Sequence, residues 1–147
     1  MKRYLCLFLF AACVFAQSGE FSFRNHLQTV YDGWCSLNPD NVAKYYAADG
    51  VYYDVAPLKY TGWAEYAAGF KKTFVPMAKS AKVEIGPDFQ VMHAGAARVV
   101  TFTAHFTMVD KQDKTQEFDI RATEIMEKRG KDWIIVHEHV SAPLPGN

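Results

Sequence analysis

The stretch Trp133-Ile134-Ile135-Val136-His137-Glu138-His139-Val140-Ser141 reads as a β-strand. Branched aliphatics dominate it and the hydrophobic period is two. Strict alternation puts Trp133, Ile135, His137, His139 and Ser141 on one face, and Ile134, Val136, Glu138 and Val140 on the other. The aliphatic face is expected to pack on a core. The histidine face is expected to line a cavity or meet solvent.

Working back toward the N-terminus, the period of two persists to Ala81. Lys82–His93 is predicted as a strand interrupted at Gly86-Pro87. Arg98–Val109 and Lys114–Lys128 are longer strands, and the short turns between them imply an antiparallel meander. Val100, Phe102, Ala104, Phe106 and Met108 share one face, opposite Thr101, Thr103, His105 and Thr107. In the next strand Phe118, Ile120, Ala122 and Met126 oppose Asp119, Arg121, Thr123 and Ile125. The more polar faces still carry Val99, Ile125, Trp133 and Ile135, so both sides of the sheet read as partly buried. Helices cover one side only. The other is therefore expected to pack on a second copy of the chain, giving a homodimer through the sheet.

Helical periodicity precedes the strands. Phe23, Leu27, Val30, Tyr31 and Trp34 predict a helix from Ser22 to Leu37. Asn38 is a good N-cap and Pro39 suits the first helical position, so a short second helix is expected through Tyr46-Ala47. Val51–Val55 is a short strand and Pro57 lies in a loop. A third helix begins at Thr61-Gly62, carries Tyr66, Phe70, Phe74 and Met77 on one side, and ends near Pro76. Helices followed by a run of strands define an α+β domain.

The first 16 residues read as a signal peptide. Lys2 and Arg3 precede the uncharged apolar run Tyr4–Phe15, and Val14-Phe15-Ala16 supplies small residues for cleavage. The run is too short to span a membrane, so the mature chain, residues 17–147, is expected to be one exported domain, periplasmic or secreted, without a membrane anchor. Lipidation at Cys13 is disfavoured by Phe10 and by the apolar run continuing past the cysteine. Cys35 is then the one remaining cysteine and closes no internal bridge. Sixteen basic and sixteen acidic residues cancel. With no dense Lys/Arg stripe, nucleic acid is excluded as a partner.

Two stretches carry a resemblance. Tyr46-Ala47-Ala48-Asp49-Gly50-Val51-Tyr52-Tyr53-Asp54 and Gly130-Lys131-Asp132-Trp133-Ile134-Ile135-Val136-His137-Glu138-His139-Val140-Ser141 resemble the SnoaL-like branch of the nuclear transport factor two-like superfamily. Asp119-Ile120-Arg121-Ala122-Thr123 resembles it as well. The resemblance implies a cone-shaped, curved antiparallel sheet wrapped on three N-terminal helices, the cystatin-like α+β barrel, with a pocketed mouth. It specifies function weakly, because the superfamily holds isomerases, cyclases, dehydratases, epoxide hydrolases and non-enzymatic modules.

Asp54 falls where the resemblance implies the general-base aspartate of ketosteroid isomerases. Its neighbours Tyr52, Tyr53, Val55 and Pro57 can desolvate it and raise its pKa. The alternative is a solvated carboxylate capping the Pro57 turn. Tyr31 lies near the implied oxyanion-holding tyrosine, with plain core packing as the alternative. Thr123 stands where those isomerases keep a protonated aspartate and supplies no acid, which counts against steroid-type chemistry. Arg121 offers a fork suited to an acidic ligand, or to an ion pair with Asp119, Asp54 or Glu124. His137 and His139 are expected to face the same cavity, with His105 joining them in register. No third metal ligand is fixed by spacing, so neither metal nor cofactor is expected. Tyr60 and Trp63 are candidate lid residues and Trp34 a wall residue. The expected function is an exported domain that binds a small apolar or mildly acidic organic molecule. Acid/base chemistry of the isomerase, cyclase or dehydratase type would use Asp54 as base, with Tyr31, Arg121 or His137 as its electrophilic partner. The alternative is a non-catalytic dimeric ligand-binding or association module.

Overall fold

The computed structural model describes residues 21–55 and 59–143. The expected leader, residues 1–16, and Pro57 lie outside them. Helix α1 spans Phe23–Cys35, and the Ser22 side chain caps it by accepting from the Asn25 N–H at 3.3 Å. Its buried stripe, Leu27, Val30, Tyr31 and Trp34, is the one read from periodicity. Each such side chain contributes roughly 2 kcal/mol by burial.

The segment after Asn38 differs from expectation. Asn38 does cap and Pro39 does start a helix, but the result is two single 3-10 turns, Pro39–Asn41 and Ala43–Tyr45. Strand β1 follows at once over Tyr46–Tyr53. The β-branched and aromatic content of this segment favours extended backbone over a continued helix. After the two-residue strand β2, Tyr60–Thr61, helix α2 covers Trp63–Thr73. Strands β3 (Ala78–Ile85), β4 (Gln90–Ala94), β5 (Ala97–Asp110), β6 (Thr115–Arg129) and β7 (Asp132–Ser141) complete the chain. Among the described residues there are thus two α-helices and a pair of 3-10 turns, where three helices were expected.

The strands form one curved sheet of order β2-β1-β7-β6-β5-β3, with β4 also paired to β5. Four of its strand pairs, β3–β5, β4–β5, β5–β6 and β6–β7, are the antiparallel meander. The sheet is nevertheless mixed, because β1 joins β7 in parallel. The expected interruption at Gly86-Pro87 separates β3 from β4, and Asp88 holds the bend by accepting from the Thr103 N–H and hydroxyl. Helix α1 is tied across this edge: Arg24 donates to the Gly86 carbonyl at 2.6 Å and Gln28 to the Val83 carbonyl at 2.8 Å.

Strand β7 does not alternate strictly. Ile125 pairs with His137 and the next β6 residue, Met126, pairs with Ile135, so Val136 is an extra residue. A bulge of this kind reverses face parity. Trp133 and Ile135 are buried on one side of it, and Glu138 and Val140 are buried on the other. His137 and His139 therefore share a face with neither Trp133 nor Ile135. The bulge turns them to the convex side and swings Glu138 inward.

Deletion of Val136 restores a regular ladder and forces either Trp133 and Ile135 or Glu138 and Val140 out of the interior. The variant is expected to lose several kcal/mol of stability, since core truncations alone cost about 2–5 kcal/mol. A urea midpoint equal to that of the wild type would contradict the bulge.

Candidate functional site

A cavity of about 280 Å³ lies between the two helices and the concave face of the sheet. Tyr31, Trp34 and Cys35 reach it from α1, and Tyr66 and Phe70 from α2. Val83, Phe106, Phe118, Ile120 and Val140 line it from the strands. The wall is apolar because the inward face of each strand must cover the helices. Val55, Met77 and Phe118 line it too and are exposed, so they mark its mouth. Among the described lining residues there is no Lys, Arg or His.

The floor is acidic. Glu138 is 1% exposed. Its Oε2 accepts from the Tyr46 hydroxyl at 2.7 Å and its Oε1 from the Tyr66 hydroxyl at 2.5 Å. Tyr66 also reaches Asp54 Oδ2 at 3.3 Å, so one hydroxyl bridges two carboxyl groups. The Trp34 indole N–H donates to the Tyr46 oxygen at 2.8 Å, which leaves the Tyr46 proton free for Glu138. Asp54 sits just past the end of β1, where its Oδ1 accepts from the Val55 N–H at 2.6 Å. Burial raises its pKa, and the bonds from Val55 and Tyr66 only partly offset this.

Glu124 is the second fully buried acid. It is the cross-strand partner of Glu138, and its Oε1 accepts from Tyr31 at 2.9 Å. Among the described residues no N–H or hydroxyl donor reaches its Oε2. An ionised carboxylate left so would cost several kcal/mol. Burial, then the charge of Glu138, holds its pKa well above the usual carboxylate range. As an acid, Glu124 becomes a donor toward Glu138, and the orphaned oxygen is satisfied. Glu138 is itself raised to about 7, by burial against the opposing bonds from Tyr66 and Tyr46. The pair holds one proton between two carboxyl groups, as like charges in a dry site require.

The aromatic support is dense. Tyr66 stacks between Tyr52 and Tyr60, at 5.2 Å and 4.9 Å between ring centroids. A Cβ at Gly69 would overlap the Tyr60 ring, so this glycine makes the second stack possible. Trp63 stacks on Tyr46 at 5.2 Å.

Of the residues singled out from sequence, the structure brings Asp54, Tyr31 and Trp34 to the cavity. Tyr60 and Trp63 stand behind it, bracing Tyr66 and Tyr46, and are not a lid. Arg121, Thr123, His105, His137 and His139 lie on the convex face. Arg121, His105 and His139 are exposed, and Thr123 and His137 half-buried. The cause is parity: Ile120, Ala122 and Glu124 point inward on β6, so Arg121 and Thr123 cannot, and the β7 bulge does the same to the histidines. His105 bonds Asp119 at 2.9 Å on that outer side, which raises its pKa. Neither Arg121 nor His137 is an electrophilic partner for Asp54. Glu124, Glu138, Tyr46 and Tyr66 went unselected. For the two glutamates a signal existed: each interrupts an otherwise apolar stripe, Ile120-Ala122-Glu124-Met126 and Val136-Glu138-Val140.

Fold and site together define a cone-shaped α+β protein with an apolar, acid-floored cavity. Residues 24–145 match the SnoaL-like domain model, and the chain belongs to that family. A solved protein from Xanthomonas campestris, described as a calcium/calmodulin-dependent protein kinase II association domain, is 26% identical with a TM-score of 0.71; 83% of this chain and 85% of that one are covered. A nuclear transport factor 2-like superfamily protein from Salmonella enterica is 19% identical, TM-score 0.69, with 84% and 92% covered. A protein from Novosphingobium aromaticivorans described as a scytalone dehydratase is 7% identical, TM-score 0.73, with 82% and 80% covered; this last pair shows shared fold alone. No curated protein matches the chain.

The acid pair sets the pH dependence of stability. Glu124 and Glu138 keep protons in the folded chain at pH values where the unfolded chain, titrating near about 4.3, has lost them. The native state then binds more protons at these two groups, so the pair's contribution to stability is fully present below about pH 4.3 and falls as pH rises from about 5 to 8. Glu124→Gln keeps a donor beside Glu138 without a titrating proton. It is expected to flatten this slope and to match or exceed wild-type stability at the high end. Urea unfolding across that range checks it, and a wild-type curve with no fall contradicts the shared proton.

Proposed function

We propose that the chain binds a small, mainly apolar organic molecule in this cavity and transfers protons on it, with Asp54 as the base. The observation that supports the reading most is the placement of Asp54. It is a carboxylate with a burial-raised pKa, at the wall of an apolar cavity, one hydroxyl away from a buried acid pair. A raised pKa makes a stronger proton acceptor at neutral pH. Tyr66 bridges Asp54 and Glu138, so a proton taken by Asp54 has a hydrogen-bonded route toward the pair. The reaction class is proton abstraction, completed as an isomerisation or an elimination. We further propose export of the mature domain, on the strength of residues 1–16.

The elementary step is testable without the natural substrate. Small apolar ketones incubated with the protein in deuterated water are expected to exchange their α-protons, read by NMR. Asp54→Asn is expected to slow this at least about 100-fold, the lower range for a general base, while the urea midpoint changes little. Absence of exchange for every ketone, or equal exchange by the variant, would overturn the enzymatic reading.

A second reading is a non-catalytic dimeric association module, favoured by likeness to the Xanthomonas campestris protein. It places the partner copy on the convex face, where Val99 and Ile125 are half-buried. A monomer by light scattering at micromolar concentration would dispose of it.

A further inference from the structure

Among the described residues the floor of the cavity offers acceptors, and its hydroxyl and indole donors are already committed. The hydroxyl protons of Tyr31, Tyr46 and Tyr66 go to Glu124 and Glu138, the Trp34 indole proton goes to Tyr46, and the Thr73 hydroxyl donates to the Gly69 carbonyl. Each carboxylate oxygen has two lone-pair positions. The tyrosines fill one on each oxygen of Glu138, protonated Glu124 supplies a third bond to it, and Asp54 has one short bond and one long one. Acceptor capacity is left over at both Glu138 and Asp54. Among the described lining residues only Gln116, at the outer end, carries a free amide N–H.

Charge runs the same way. The sheet sorts its ionisable groups by side. Strands β6 and β7 place Glu124 and Glu138 on the concave face, and Arg121, His137 and His139 on the convex one. Among the described residues no basic side chain lines the cavity beside these acids. Trp34 and Tyr66 add aromatic surface beside them, which attracts cations through the ring quadrupole.

We infer that the cavity takes an apolar molecule bearing a protonated amine, with the ammonium group lodged between Glu138 and Asp54 and the hydrocarbon against the aromatic wall. An ammonium brings three donors and one positive charge, matching both the leftover acceptors and the uncompensated acids. A carboxylate brings only acceptors and like charge, and an alcohol brings one donor and no charge. The mildly acidic ligand expected from sequence depended on Arg121, which stands on the far side of the sheet. This inference rests on the cavity's being a ligand site.

The test uses the mature chain and three probes of similar size: phenethylamine, phenethyl alcohol and phenylacetate, with binding followed by calorimetry. The amine is expected to bind about tenfold tighter than the alcohol, the ratio given by roughly 1.4 kcal/mol, and phenylacetate weakest. Glu138→Gln, checked for a retained urea midpoint, should bring amine and alcohol to near-equal affinity. If the alcohol binds as tightly as the amine, the ammonium assignment falls and the ligand-site reading stands. If none of the three binds, both fall. Because the series is run first on the unaltered protein, failure of the variant to fold does not blunt the result.

Discussion

A buried carboxylate must find donors, and the two tyrosines that donate to Glu138 come from different elements. Tyr46 arrives from the start of β1 and Tyr66 from α2, while Glu138 itself belongs to β7. One side chain therefore joins the parallel strand pair to the helix that closes the cone. Behind it, Glu124 extends the connection to β6 and, through Tyr31, to α1. Packing of hydrocarbon would hold these elements together loosely in register. Directional bonds to a charge with no access to water fix their relative positions much more narrowly.

The arrangement is costly in isolation. Two acids side by side in a dry interior cannot both ionise, and each needs a partner for every oxygen. The structure meets the condition with three tyrosines and one retained proton. The same condition explains the tyrosine stack. A hydroxyl aimed at a carboxylate has to be held at a fixed angle, and rings packed on both faces of Tyr66 hold it. The requirement reaches as far as Gly69, whose missing side chain leaves room for Tyr60. What looks like generous aromatic content in the composition is thus scaffolding for a small polar centre.

Much of the architecture was legible in the residue pattern. The first helix, the interruption at Gly86-Pro87 and the long antiparallel strands follow from period and turn chemistry alone, and the stretches around Tyr46 and Trp133 led to the family. On β6 the orientation was legible, since the stripe Ile120-Ala122-Met126 already sets Arg121 and Thr123 on the opposite face. On β7 it was not, because it turns on Val136, which looks like any other strand residue. Nothing in an alternating string says that one member will be squeezed out of register, and that reversal exchanges histidines for glutamate. The parallel pairing of β1 with β7 is equally invisible, because it joins residues far apart in the chain. Asp54 and Tyr31 follow from the family resemblance, Asp54 also from its apolar neighbours, and Trp34 from helical spacing. Glu124 and Glu138 carry a weaker signal, a single acid in an otherwise apolar stripe, whose meaning depends on which face of the strand is buried.

The exposed trio at the opening, Val55, Met77 and Phe118, has a bearing on selectivity. A guest of the proposed kind would shed water against this hydrocarbon before its polar end reached the buried Glu138. The opening and the floor would then sort molecules by different properties, oiliness outside and proton-donating power within. Met77, unbranched and pliable, would let the outer sieve tolerate varied shapes, and the ring-braced floor would not. Selection of this kind would favour amphiphiles that enter tail-indifferent and head-specific.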